Sequence, residues 1–498
     1  MTGDAFDVVV IGAGLGGLAC AARLARAGAS VLVVERANQP GGLAGSFHRE
    51  GFDFELSLHL IDAVGPGQPH RWVLEELGLA DDLELSRPEW LRREIWPDGE
   101  SLVPVGIEPW RDQMTSTFPG ERRGIAQLAR LAEQAHGAYR SATAAAPGLP
   151  RVVDTGPHAR RTAAEVVDEL VSDGRILARL DLFARGWLGL PLATLSAPAF
   201  LVPWYSYQAF GGYYPRGGSA ALVRGLVAQL QSHGGELMLR CEARRIIVER
   251  GRVRGVELAE GRRLSAPVVV SNASPSHTVG ELVDGVEVDG RYRQRLTRLE
   301  PSVSCVKVWL GLSRPVVRAG PADYQVYLCP SHDDAGAELH PETRRLSVVR
   351  PAALGPGHVP TGRDVVAITM LVQPDSWQRA RVAQPSLAED LADRLVERVE
   401  RQLMAGLRDV TVVRSVATPE TFERYTGHPG GAIYGGHRAV GRAKGWRLDA
   451  ETPVAGLWLV GAWTRPGAGV SSVLTSGFQT AQALLDALSL SSLGRSGK

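Results

Sequence analysis

The first apolar pattern in the chain is an unbroken run, Val8-Val9-Val10-Ile11, the mark of a strand buried on both faces. An alanine-rich stretch then predicts a helix over 18–27, Gly28 stops it, and a second apolar run predicts a strand over 30–34. Strand, helix and strand in that order predict an α/β fold with a parallel sheet. Apolar residues at helical spacing predict further helices over 124–146, 162–171, 220–233, 387–404 and 471–488. Short strands are expected at 236–240, 246–249, 252–258 and 264–270, with Glu249-Arg-Gly-Arg252 as a hairpin turn. Over 302–310 strict alternation puts Val303, Cys305, Lys307 and Trp309 on one face of a strand, and Lys307 is expected to snorkel or lie exposed. The stretch 180–210 is apolar and aromatic, but Pro191, Pro198 and Pro203 predict several short pieces. Segments 147–150 and 331–341 read as loops and 489–498 as a frayed tail.

The joints between these elements carry the chemistry. Gly12, Gly14 and Gly17, with Gly16 between them, form GxGxxG between the first strand and helix, and Glu35 closes the second strand 23 residues after Gly12. The first glycine permits the tight turn, the second lets backbone approach a pyrophosphate, and the third lets the helix pack on the strand. The helix N-terminus offers unpaired N–H groups to phosphate, and Glu35 can accept from a ribose diol. Past Arg36, the doublet Gly41-Gly42 is bare backbone suited to run along an extended dinucleotide. Near the other end, Gly461-Ala462-Trp-Thr-Arg-Pro-Gly-Ala-Gly469-Val470 leads from a strand into a second helix N-terminus. Two such elements at opposite ends of the chain imply one cofactor clamped by both, and that cofactor reads as FAD.

Composition narrows the remaining choices. With 498 residues, 44% hydrophobic and 22% charged, the chain exceeds one ordinary core and reads as a globular protein of two units. A net charge of +1 gives no basic face for nucleic acid. All but three of the 55 basic residues are arginine, the lysines being Lys307, Lys444 and Lys498. The four cysteines form no CxxC pair and the twelve histidines no metal-like spacing, so a reduced, cytoplasmic protein without a metal is expected. Asp4 and Asp7 stand where a signal peptide would be basic, and no run is long enough to span a bilayer.

In these motifs the chain resembles the FAD-dependent phytoene desaturase, carotenoid isomerase and retinol saturase group of the amine-oxidase-like flavoproteins. The resemblance also rests on Gly212-Tyr-Tyr-Pro-Arg-Gly-Gly-Ser219, Val269-Val-Ser-Asn-Ala-Ser-Pro275, Thr418-Pro-Glu-Thr-Phe-Glu-Arg-Tyr-Thr-Gly427 and Gly431-Ala-Ile-Tyr-Gly435. The last two are more similar to the isomerase and saturase side than to bacterial desaturases. It implies a Rossmann-type, discontinuous FAD-binding domain made of 1–60, 208–274 and 419–498, with a mixed α+β substrate-binding lobe made of 61–207 and 275–418. It further implies that backbone at Ala243 and Arg244 lies against adenine. Departures are visible. Phe54-Glu55-Leu56-Ser57 replaces a Phe-Asp-x-Gly turn, and Ala462 stands where amine oxidases commonly place an acid.

For substrate, Trp187, Trp204, Tyr205, Tyr207 and Phe210 read either as a tunnel for a long apolar ligand, with contact to a membrane interface, or as the core of the lobe. Glu55 and His59 are the candidate proton-handling groups, against the plainer readings that Glu55 holds a loop and His59 is a buried, satisfied histidine. Arg465 reads as a surface arginine. In amine-oxidase relatives a lysine beside the flavin positions a water, and Lys307 is not mapped onto it. The expected activity is oxidoreduction of C–C and C=C bonds in a lipophilic polyene, by desaturation, saturation or isomerisation. No second GxGxxG unit supplies an NAD(P)H domain, so the electron donor or acceptor is external. The alternatives are a flavin amine or amino-acid oxidase and, in a different class, a non-catalytic lipid-binding escort of the GDP-dissociation-inhibitor fold.

Overall fold

A computed structural model describes residues 5–145, 158–283, 288–316, 323–333, 339–355, 357–436 and 447–493. The expected loop at 147–150, part of that at 331–341, and the last five residues of the tail lie outside these.

The run Val8–Ile11 is the middle strand of a five-stranded parallel sheet in the order Glu236–Leu239, Val31–Glu35, Val8–Ile11, Val268–Ser271, Leu457–Leu459. Its strands come from widely separated parts of the chain. Alternate side chains enter two different cores. Val8 and Val10 pack with the helices on one face, whereas Val9 and Ile11 pack against a three-stranded antiparallel sheet built from Ala243–Glu249, Arg252–Leu258 and Arg263–Ser265. Burial on both sides is why the run shows no polar alternation. Helices Leu15–Arg26 and Val470–Leu493 cross closely where a Cβ on Gly477 would stand 2.6 Å from Ala19 Cβ. The first helix begins three residues before the position expected, because Gly16 and Gly17 are helical and lie in its first turn.

A seven-stranded mixed sheet forms the second unit, in the order Thr411–Ala417, Ser304–Leu312, Asp364–Val372, Leu346–Val349, Gln325–Leu328, Trp90–Trp96, Gly99–Pro104. Its pairs are antiparallel except Gln325–Leu328 with Trp90–Trp96. The middle of one face is apolar, with Asp364, Arg414 and Arg93 on that face toward its margins. Val306, Val308, Leu310, Ile368, Met370 and Val348 pack with Leu391, Leu395 and Val399 of the helix Leu387–Gln402. The opposite face is mixed, and it is covered by other protein rather than by water.

The expectation of short pieces over 180–210 is corrected. Helices Gly174–Leu188 and Ala197–Phe210 run through it. Pro198 sits in the first turn, where no N–H is needed, and the second helix continues through Pro203. Among the described residues no helix is long and apolar enough to cross a membrane.

Candidate active site

At Gly14, Gly16 and Gly17, after Val8–Ile11, there is no room for a side chain. A Cβ on Gly14 would stand 2.4 Å from Asn272 Nδ2, one on Gly16 2.9 Å from Gly461 Cα, and one on Gly17 2.2 Å from the Gly12 carbonyl oxygen. Gly12 itself has φ +96°, which favours glycine. Helix Leu15–Arg26 has no side-chain cap and no acidic residue in its first turn, which leaves its N–H groups for an anion. Glu35 is held ready: its two carboxylate oxygens accept from the Ala13 and Ala37 N–H groups, each at 2.8 Å. Asn272 donates its N–H to the Ile11 carbonyl at 2.8 Å, and its side chain wedges between Gly14, Gly16 and Gly461. Within Val269-Val-Ser-Asn-Ala-Ser-Pro275 nothing local assigns Asn272 this role.

These residues form one end of a cavity of about 730 Å³ that continues to the mixed face of the seven-stranded sheet. Lys307 pairs with Thr369, Thr369 with Ser347, and Ser347 with Tyr327 across four strands, so the four side chains form a polar row on one face. All four border the cavity, together with His59, Cys305, Trp187, Tyr207 and Tyr434.

Lys307 is 3% exposed, not at the surface as expected. The hairpin Ser46–Glu55 and the helix Pro419–Thr426 cover its face of the strand through Phe52, Phe54 and Phe422. The ammonium donates to the Leu56 carbonyl at 2.8 Å while Trp309 Nε1 donates to the Glu55 carbonyl at 2.7 Å. Burial brings the lysine down to about 8.

Glu55 does not border the cavity. It accepts from the Ser219 N–H at 2.8 Å and so holds the loop that opens the helix Gly218–Ser232. Burial pushes its carboxyl up to about 7. His59 does border the cavity, with Nδ1 3.1 Å from Gln325 Nε2, and burial followed by the Lys307 charge lowers it to about 3. It is therefore a neutral hydrogen-bonding group at ordinary pH, not an imidazolium acid.

Gly12, Gly14, Gly16, Glu35, Arg36, Gly41, Gly42, Ala243, Ala462, Gly469 and Val470 surround the same cavity. Gly17 and Gly461 instead lie behind it, at the close approaches described above, and Arg244 is exposed on its strand. Of the aromatic five, Trp187 and Tyr207 face the cavity. Trp204 packs edge-to-face on Trp110 at 4.8 Å, and Tyr205 and Phe210 pack around His136. Their helix belongs to a bundle core, which takes those three side chains away from both a tunnel and a membrane surface. Arg465 is 7% exposed, correcting the surface expectation; its turn packs on the neighbouring segment, where Asp449 lies 3.4 Å away.

A further buried group had no signal in the sequence. Asp62 accepts from Ser206 at 2.6 Å and from Ser471 at 2.5 Å, and lies 3.0 Å from His70 Nδ1. Burial alone would raise its carboxyl; His70 and the hydroxyls outweigh this and hold it at about 2. Ser471 belongs to the first turn of Val470–Leu493, so this network fixes that helix end beside the cavity.

A glycine cradle, an oriented acid and two helix N-termini on one cavity fit an extended dinucleotide. The family model described as flavin containing amine oxidoreductase matches residues 15–485. The chain belongs to the flavin-containing amine oxidoreductase family. Its cofactor is FAD. Among relatives of this flavin oxidoreductase, prolycopene isomerase of Daucus carota is 26% identical over 96% of this chain and 79% of its own length. Neurosporene-forming phytoene desaturase of Rhodobacter capsulatus is 28% identical over 96% and 94%, and all-trans-retinol 13,14-reductase of Danio rerio 23% over 91% and 82%. In fold, an oxidoreductase from Methanosarcina mazei is similar with a TM-score of 0.66 at 20% identity, covering 96% of this chain and 99% of that one. The protein is thus a flavin-containing oxidoreductase, and a carotenoid isomerase, a carotenoid desaturase and a retinol reductase are among its relatives.

Proposed function

We propose that the protein acts on C–C or C=C bonds of a lipophilic conjugated polyene. The observation that carries this reading is the single cavity joining the glycine cradle to a wall of Trp187, Tyr207, Tyr327 and Tyr434. Flat aromatic rings match a flat, rigid, conjugated chain, and burial of such a chain supplies most of its binding free energy. The names of the three relatives, all of which concern polyenes, support the same substrate class.

When bound, the flavin supplies hydride acceptance or donation at N5. The chain's own residues orient and enclose. Asn272 and the Asp62 network fix the loop and helix end against which the dinucleotide would rest. The Lys307 ammonium, tied to the Leu56 carbonyl, places a positive charge on the cavity floor. Tyr327 and Tyr434 are held well above their ordinary range by burial, so their hydroxyls stay protonated and can donate hydrogen bonds. Desaturation, saturation and isomerisation all use this arrangement.

The test is an anaerobic spectrum. The FAD-loaded protein is reduced, a retinoid is added, and flavin and polyene bands are followed together. Flavin reoxidation with a blue shift of the polyene establishes saturation. A changed polyene isomer without net flavin oxidation establishes isomerisation. A second reading, amine or amino-acid oxidation, draws support from the polar row Lys307, Thr369, Ser347 and Tyr327. Rapid reduction of oxidised flavin by amines or amino acids, with no response to polyenes, would replace the first reading with this one.

A further inference from the structure

The sheet side of the cavity holds more guanidinium than carboxylate. Arg92 and Arg179 both pair with Glu94, at 2.7 and 3.0 Å, and among the described residues it is their one ion-pair partner within reach. Arg345, which borders the cavity, pairs with Asp181 at 3.1 Å, but Asp181 also accepts from Arg185 at 2.6 Å and from the Leu192 N–H at 3.0 Å. Arg92 is 4% exposed and the Arg345 side chain 7%, yet Arg92 Nη1 and Arg345 Nε have no hydrogen-bond acceptor. On the cavity floor, Thr369 Oγ1 is likewise buried without a partner. Aromatic faces shoulder these cations: Arg345 and Arg179 lie 5.5 and 5.3 Å from the Trp96 ring centre, and Arg92 5.3 Å from that of Trp187.

A buried N–H donor on a charged group is costly to leave without an acceptor. A hydrocarbon cannot supply one. We propose that Arg345 forms a carboxylate subsite and that the substrate is an amphipathic polyene ending in a carboxylate. Arg345 supplies the guanidinium of that subsite, and Thr369 borders the same cavity. A monoanion suits the place, since Asp181 already answers part of the charge. The proposal rests on the polyene reading above and specifies the end group of that polyene.

The experiment titrates FAD-loaded protein with retinoic acid and with retinol, which share a chain and differ in the end group, following the flavin spectrum. Retinoic acid is expected to bind about tenfold tighter, and Arg345→Gln to remove that advantage while leaving retinol affinity within about twofold. Equal binding of acid and alcohol to the unaltered protein overturns the proposal, as does an equal loss for both in the variant. Should Arg345→Gln not fold, salt decides with the unaltered protein. Acid affinity should fall between low and high ionic strength while retinol affinity holds, and a parallel response overturns the proposal. Failure of the underlying reading looks different: neither retinoid perturbs the flavin, and amines or amino acids reduce it.

Discussion

The two ends of the cavity are built by opposite means. At the dinucleotide end the backbone does the work: Gly12, Gly14, Gly16 and Gly42 leave space, one acid is oriented by two N–H groups, and helix ends face inward. At the sheet end side chains do it, with Lys307, Thr369, Ser347 and Tyr327 arriving from four strands. The first design fixes a shape that any adenine dinucleotide shares. The second can vary one residue at a time without moving the sheet, because each strand's other face is anchored in apolar core. On the proposed function, cofactor choice and substrate choice are thereby separated in the molecule.

The sharpest way to break this separation is Gly17→Ala. The added Cβ would meet the Gly12 carbonyl at 2.2 Å, a backbone atom that cannot swing aside, so the turn itself must move. A cost on the order of 3 kcal/mol is expected, with loss of nearly all bound flavin in the purified protein, read from the ratio of flavin to protein absorbance. Gly137→Ala, on an exposed helix position with nothing within 4 Å, is the control and should leave the ratio unchanged. Full flavin content in Gly17→Ala would mean that the turn does not set the cofactor site.

The same division explains what could be read from the sequence. Gly12 to Glu35 is a contiguous unit whose strand, turn, helix and acid follow one another, so spacing alone exposes it. Asn272 wedges into that turn from more than two hundred residues away, and only the parallel pairing of Val268–Ser271 with Val8–Ile11 brings it there. The polar row is harder still. Of its strands, alternation revealed only that of Lys307, and it could not show that Phe52, Phe54 and Phe422 cover that face. Sequence alone therefore leaves Lys307 snorkelling or exposed, and Thr369, Ser347, Tyr327 and Arg345 carry no local signal. The aromatic stretch failed for a related reason. Composition marked it as important, but helix periodicity sent Trp204 and Tyr205 into the bundle core, whereas Tyr207 reached the cavity.

Lys307→Met sharpens the comparison from the sheet end, with a smaller effect. In the unfolded chain the lysine titrates near 10.5 and in the fold near 8, so between those values the unfolded chain holds a proton the folded one has released. Stability should therefore rise with pH from 8 to 10.5, and below pH 8 the fold bears the full burden of the buried ammonium, on the order of 3 kcal/mol. Methionine removes that burden and gives up the bond to the Leu56 carbonyl, worth about 1 kcal/mol. The variant should melt higher than the unaltered protein at pH 7, lose the rise between pH 8 and 10.5, and keep its flavin. Thermal melts across that pH range check it; loss of flavin would show that the two ends are not independent.

The smallest effect compares two tryptophans from the same aromatic stretch. Trp187 borders the cavity, stacks on Phe183 at 5.0 Å and lies 5.4 Å from the Tyr327 ring, so its indole forms part of the wall. Trp204 is 1% exposed between Phe200 and Trp110 and does not border the cavity. Trp187→Phe trims the wall and should weaken retinoid binding about threefold with little change in melting temperature. Trp204→Phe leaves a small void in the bundle and should cost about 1 kcal/mol of stability while retinoid affinity stays the same. Paired titrations and melts distinguish them. If the two substitutions weaken retinoid binding equally, the ligand extends into the bundle, and the division between cavity wall and core is drawn in the wrong place.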